Sequence, residues 1–164
     1  MNSTLKQSAL DYARMGYSVI PLRPRDKRPM VDFAWAEYQR RPATEKEISE
    51  WWDKEPNANI GIITGQISGI VVIDVDVDKG GSYEFIAKAL PTGQISQTGS
   101  GGYHFIYDYP YGTTDKIHNR VTTGVDIRGD GGYIVAPPSI HSNGKAYQWI
   151  ESGQRAIFDP KSLQ

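Results

Sequence analysis

Apolar positions along this chain fall into short blocks of two different periods, which read as a series of helices and strands. Leu5, Ala9, Leu10 and Ala13 recur at helical spacing, with Ser3 placed to cap the helix and Gly16 to stop it. Residues 17–22 then read as a strand. Thr44 and Glu47 form a capping box that opens a second helix through Ile48, Trp51 and Trp52, and Pro56 ends it. The two tryptophans are assigned to the core rather than to base stacking. Residues 60–63 and 70–77 read as two strands paired through the turn at 64–69, which carries glycines at both 65 and 69. A helix follows over 83–90, then strands at 94–98 and 103–107. Residues 108–120 are polar, tyrosine-rich and loop-like. Residues 125–128 and 133–136 read as a hairpin around the glycine turn 129–132, closed by Pro137-Pro138, with a last edge strand near 147–150.

Composition narrows the class. A chain of 164 residues, 38% of them hydrophobic, is expected to form one domain or two closely joined modules around a real core. The formal net charge of −1 excludes a strongly basic coat and still allows a local basic groove offset by acidic residues elsewhere. With no cysteine there is neither a disulfide framework nor a thiolate zinc site. No signal peptide and no apolar run of membrane-spanning length is visible, so the expectation is a cytoplasmic protein with no membrane partner.

The stretch from Ile70 to Asp78 carries the first chemistry. An unbroken aliphatic run changes at Asp74 into an alternation that sets Asp74, Asp76 and Asp78 on one face and Ile73, Val75 and Val77 on the other. Carboxylates two residues apart on a strand stand about 7 Å apart at the backbone, close enough to lean onto shared cations. Such clustering costs stability unless a cation neutralises it. Asp74 and Asp76 are therefore candidate metal ligands, against the alternative of a solvated strand end. Asp78, just before Lys79-Gly80-Gly81-Ser82, fits turn and capping chemistry instead.

Two further constellations and a basic loop follow. In Thr98-Gly99-Ser100-Gly101-Gly102-Tyr103-His104, three glycines beside a serine allow backbone N–H groups to converge on an anion such as a triphosphate, with His104 in reach of it. The lysine and following helix of a P-loop are missing, and glycine-rich turns are common. Asp126 and Arg128 share one strand face, as site residues or as a surface ion pair. Between Arg23 and Pro29 lie four cations, read either as a solvated loop or as an arm for phosphates. Carboxylates, an anion cradle and an arginine are the parts that metal-assisted phosphoryl or nucleotidyl transfer requires.

In this combination the chain resembles the Prim-Pol domain of the archaeo-eukaryotic primase superfamily, the bifunctional primase–polymerases of plasmids, phages and other mobile elements. The resemblance runs from about Ala9 to Tyr147. It is carried by Gly16-Tyr17-Ser18-Val19-Ile20-Pro21-Leu22 with Lys27-Arg28-Pro29, and by Trp51-Trp52 with Asn59-Ile60-Gly61-Ile62 and Thr64-Gly65. Ile73-Asp74-Val75-Asp76, Ser100-Gly101-Gly102-Tyr103-His104, and Val125-Asp126-Ile127-Arg128-Gly129 with 132–139 complete the set. The resemblance implies a single catalytic domain of two packed α/β modules, one an RRM-like antiparallel sheet bearing the acidic motifs, with the active site in the cleft between them. It implies two-metal, template-directed nucleotide addition, with Asp74, Asp76 and Asp126 holding Mg²⁺ or Mn²⁺. Ser100, Gly101, Gly102 and His104 would hold the incoming dNTP or NTP, and Arg128 and Lys27 would add positive charge. Implied partners are a single-stranded DNA template and primer, and a fused or separate helicase or helical-bundle region. Lacking the cysteines of a zinc-binding insertion and any helical bundle, the chain is expected to extend primers better than it starts them.

Two rival readings remain open. A metal-dependent nuclease would use the same carboxylates, but a triphosphate cradle favours transfer. A catalytically silent nucleic-acid or nucleotide-binding module of a replication initiator would have no use for clustered carboxylates.

Overall fold

The structure is a computed structural model that describes residues 4–112, 117–118 and 120–162. Helix α1 (Leu5–Arg14) starts at Thr4, whose hydroxyl accepts the Gln7 N–H at 3.1 Å. Ser3, the cap expected from the sequence, lies outside the described residues. Ala9 and Tyr12 are the buried positions of α1, and Gly16 turns the chain at φ +96°. Strand β1 (Ser18–Leu22) is followed by a 3₁₀ turn at Trp35–Gln39 that the apolar pattern did not foretell. Helix α2 (Glu45–Lys54) carries the expected capping box in full. Trp52 is buried and donates its indole N–H to the Ala58 carbonyl at 3.0 Å, and Trp51 packs edge-on against Phe33 and Tyr38. Both tryptophans are structural, as expected.

Next come β2 (Asn59–Ile63), β3 (Ile70–Val75), a 3₁₀ turn at Val77–Lys79, and helix α3 (Tyr83–Ala89), which Ser82 caps. Strands β4 (Gln94–Gln97), β5 (Tyr103–Asp108), β6 (Arg120–Thr122), β7 (Val125–Arg128), β8 (Tyr133–Ala136) and β9 (Gln148–Ser152) complete the described elements. The fold is α+β with two antiparallel sheets, one ordered β1-β2-β8 and the other β6-β7-β3-β5-β4-β9. The loop expected at 108–120 contains the start of β6, and its residues 113–116 and 119 lie outside the described residues.

Three expectations fail here. Residues 60–63 and 70–77 do not pair, because β2 lies between β1 and β8 while β3 lies between β5 and β7. Only an isolated bridge, Gly65 to Ile70, joins the two stretches. An aliphatic run buried on both faces says that a strand is central, not which strand is beside it. Nor do 125–128 and 133–136 form a hairpin, since the chain crosses from the larger sheet to the smaller one between them. Asp130, which read as a turn residue, pins that crossing. Its carboxylate accepts the Gln66 N–H, the Tyr109 hydroxyl and the Ile117 N–H at 2.7–2.9 Å. Finally, β3 ends at Val75, because the Asp76 N–H turns to the Gly124 carbonyl and the 3₁₀ turn begins. The acidic alternation therefore stops at Asp76, and Asp78 is exposed in the turn.

The core divides along the two faces of the larger sheet. Val71, Ile73, Val75, Ile95, Phe105 and Tyr107 pack with Ile86 and Leu90 of the α3 segment. Ile70, Val72 and Ile106, on the other face, pack with Ile60, Ile62 and Ile134 of the smaller sheet and with Ile48 and Trp52 of α2. Burying each such side chain contributes roughly 1.5–3 kcal/mol. The two sheets thus pack together along the apolar end of β3 and enclose a cavity at its acidic end.

Candidate active site

Cleft-facing positions of β3 run Ile70, Val72, Asp74. The first two are sealed between the sheets. At Asp74 the packing stops, and a cavity of about 280 Å³ opens, lined by Asp74, Asp76, Ser100, His104, Arg128 and Lys27 together with Trp35, Thr98, Tyr133 and Tyr147. Six of the nine residues that the sequence nominated therefore meet in one cavity.

Strand register explains the convergence. Asp74 stands opposite Asp126 on β7 and opposite His104 on β5, so all three side chains project from the same face in one row. Arg128 stands opposite Val72, one step deeper along the same face. Asp126 belongs to the row but does not line the cavity; its carboxylate leans 3.3 Å from the Arg128 guanidinium. Asp74 lies 3.4 Å from His104 Nε2, and Asp76 lies 3.8 Å from Lys79 Nζ. Burial pushes the Asp74 carboxyl up, but His104, and behind it Arg128 and Lys27, pull it further down, so its net shift is below the ordinary aspartate range. The clustering penalty anticipated from the sequence is met here by the protein's own basic side chains.

The donor set fits a hard divalent cation in kind, since Asp74 and Asp76 offer carboxylate oxygens in the cavity and Asp126 stands beside Asp74 in the row. Among the described residues, no three carboxylate or imidazole groups already converge on a single metal position.

The glycine-rich turn is built differently from an open cradle. The Gly101 N–H is taken by the Thr98 carbonyl at 3.0 Å and the Gly102 N–H by the Thr98 hydroxyl at 2.9 Å. Gly101 and Gly102 thus shape the turn from behind, while Ser100 and Thr98 face the cavity. A side chain at Gly102 would meet the Val75 carbonyl at 2.4 Å, so glycine there lets β5 lie against the end of β3.

Of the basic loop, Lys27 lines the cavity. Arg28 is held by a fork of bonds to Asp26, Arg23 bonds the Pro29 carbonyl, and Arg25 the Ser142 carbonyl. Two contacts fix this loop: the Tyr133 hydroxyl donates to the Lys27 carbonyl, and the buried Asn59 amide donates to the carbonyls of Asp26 and Ile140. A second cleft of about 370 Å³, lined by Arg25–Arg28, Ile140–Ser142 and Tyr147, adjoins the first across Lys27 and Tyr147. Thr98, Trp35, Tyr133 and Tyr147 were not nominated from the sequence. The last three reach the cavity from loops or from the other sheet, and no local spacing marks them.

Among the described residues, no helix is long and apolar enough to cross a membrane. No curated protein sequence matches the chain. Residues 9–161 match the family model of Prim-Pol, the N-terminal domain of bifunctional DNA primase/polymerases, beyond the segment that carried the resemblance. A match over nearly the whole length, with the acidic row and the glycine-rich turn meeting in one cleft, places this chain in the Prim-Pol family.

Proposed function

We propose that residues 1–164 act as a single catalytic domain for template-directed nucleotidyl transfer, adding nucleotides to a primer 3′-hydroxyl and taking part in primer synthesis during DNA replication. The observation that carries this reading is the row Asp126–Asp74–His104 across three adjacent strands, with Arg128 and Lys27 around it. Asp74, Asp76 and Asp126 would hold Mg²⁺ or Mn²⁺. Bound there, the cations supply activation of the primer hydroxyl and neutralisation of the leaving pyrophosphate. Ser100 and His104 contact the incoming dNTP or NTP, and Gly101 and Gly102 set the turn that presents Ser100. Arg128 and Lys27 counter the triphosphate charge, which grows on the pyrophosphate as the bond from the α-phosphorus to the leaving oxygen breaks. The second cleft, with Arg25 and Lys27 at its rim, gives a single DNA strand a basic path away from the cavity. The work is cytoplasmic, where template, primer and nucleotides are found, alongside a helicase or helical-bundle region on the same or another chain. The test is extension of a labelled primer on a DNA template with each nucleotide type and each metal in turn. The reading requires cation-dependent extension, and folded protein that extends under none of these conditions removes it.

A further inference from the structure

Among the described residues, two buried side-chain polar atoms have no hydrogen-bond partner, Ser96 Oγ and His104 Nδ1. They are not scattered. Ser96 on β4 stands directly opposite His104 on β5, and directly opposed residues of an antiparallel pair project to the same face with Cβ atoms about 4.5–5.5 Å apart. The acidic row therefore continues one strand further, as Asp126, Asp74, His104 and Ser96 across β7, β3, β5 and β4. Beyond Ser96 the row is closed by Trp149 of β9. Ser96 is wholly buried and His104 nearly so.

An imidazole has two nitrogens with opposite needs. When neutral and donating from Nε2, it must accept at Nδ1. His104 Nε2 faces the Asp74 carboxylate at 3.4 Å, an acceptor. The nitrogen behind it therefore requires a donor, and the hydroxyl opposite requires an acceptor. One bond satisfies both groups, whereas leaving a buried donor or acceptor unmade is costly.

We infer that Ser96 is the positioning residue for His104, its hydroxyl donating to Nδ1 directly on rotation about χ1 or through one buried water. This bond keeps the proton on Nε2 and aims it toward Asp74 and the phosphate oxygens of the nucleotide. The order Asp–His–Ser has the composition of a hydrolytic triad, but burial rules that role out. A serine without solvent exposure meets no substrate, so it orients the ring and attacks nothing. The nucleotide-binding consequence rests on the function proposed above; the Ser96–His104 bond itself does not.

The experiment uses the whole chain labelled with ¹⁵N, without nucleotide, at a pH about two units above the ordinary histidine pKa. His104→Gln serves to assign the ring signals. The wild type and Ser96→Thr, which keeps the hydroxyl, are expected to show one tautomer with an accepting Nδ1. Ser96→Ala, which removes only one oxygen, is expected to show a mixture. In primer extension, Ser96→Ala is expected to raise the nucleotide KM by about tenfold with kcat nearly kept, and Ser96→Thr to restore it. Identical ring-nitrogen spectra in wild type and Ser96→Ala overturn the inference whatever the activity. A tautomer change in a chain that extends no primer leaves the bond in place and overturns the proposed function instead.

Discussion

The two ends of the cleft face of β3 form a natural experiment. At one end Ile70 and Val72 are buried between the sheets, and at the other the Asp74 side chain keeps 28% of its exposure beside the cavity. The opposite face shows no such change, because Val71, Ile73 and Val75 are buried against the α3 layer along the whole strand. A site is made here by ending the packing on one face while the other continues unbroken. The apolar face secures the fold, which leaves neighbouring residues on one strand to answer for stability and for chemistry separately.

The sharpest way to break that separation is Asp74→Asn. It keeps the shape and removes the charge, so nucleotide addition is expected to fall by about 10⁴-fold, the scale of losing one member of a unit that acts together. Circular dichroism and the thermal midpoint are expected to stay close to wild type. An unfolded Asp74→Asn chain would show that the carboxylate is part of the packing after all.

Ile73→Ala, one residue away, is expected to do the reverse. A buried isoleucine reduced to alanine costs about 2–5 kcal/mol, read as a lower urea midpoint, while folded molecules still bind nucleotide. Arg128→Lys should cost roughly 1.5–3 kcal/mol for one charge-assisted bond, or about one to two decades in nucleotide affinity, because a lysine cannot reproduce the guanidinium fork. Isothermal titration with a non-hydrolysable triphosphate measures it, and an unchanged Kd removes Arg128 from the site.

Outside the lining of either cleft, Glu47→Ala should cost only about 1 kcal/mol, through loss of the α2 cap, with nucleotide binding untouched. The Arg41 bond holds the Glu47 carboxyl well below the ordinary glutamate range; burial opposes it, and the Tyr38 and Thr44 bonds add to the lowering. Its contribution is therefore present above that range and is lost as the pH falls through and below it. The stability difference between wild type and Glu47→Ala should shrink on acidification, and a constant difference from neutral pH to acid would contradict this.

What could be read from the sequence was local. Thr44 with Glu47, the aliphatic run into Asp74, and the glycines before His104 each mark their element through neighbours a few residues away. The six nominated residues that line the cavity stand out by the same means. Which strands pair is a different matter, because β2 and β3 are both buried aliphatic runs and nothing in either names its neighbour. Asp130 misled for a similar reason: in a glycine turn it signals a hairpin, yet its bonds to Gln66, Tyr109 and Ile117 are all distant in sequence. Gly101 and Gly102 were nominated as anion donors, and their N–H groups are occupied by Thr98. Tyr147 reaches the cavity from the segment before β9, which carries no chemical motif.

Single-nucleotide incorporation tests the central claim most directly. A labelled primer is annealed to four templates that differ only in the next base, and each nucleotide is offered separately with Mg²⁺ or Mn²⁺ to wild type and to Asp126→Asn. The account predicts addition of the complementary nucleotide only, dependent on the cation, and lost in folded Asp126→Asn. Addition regardless of the template base, shortening of the primer in place of extension, or full activity in Asp126→Asn would contradict it.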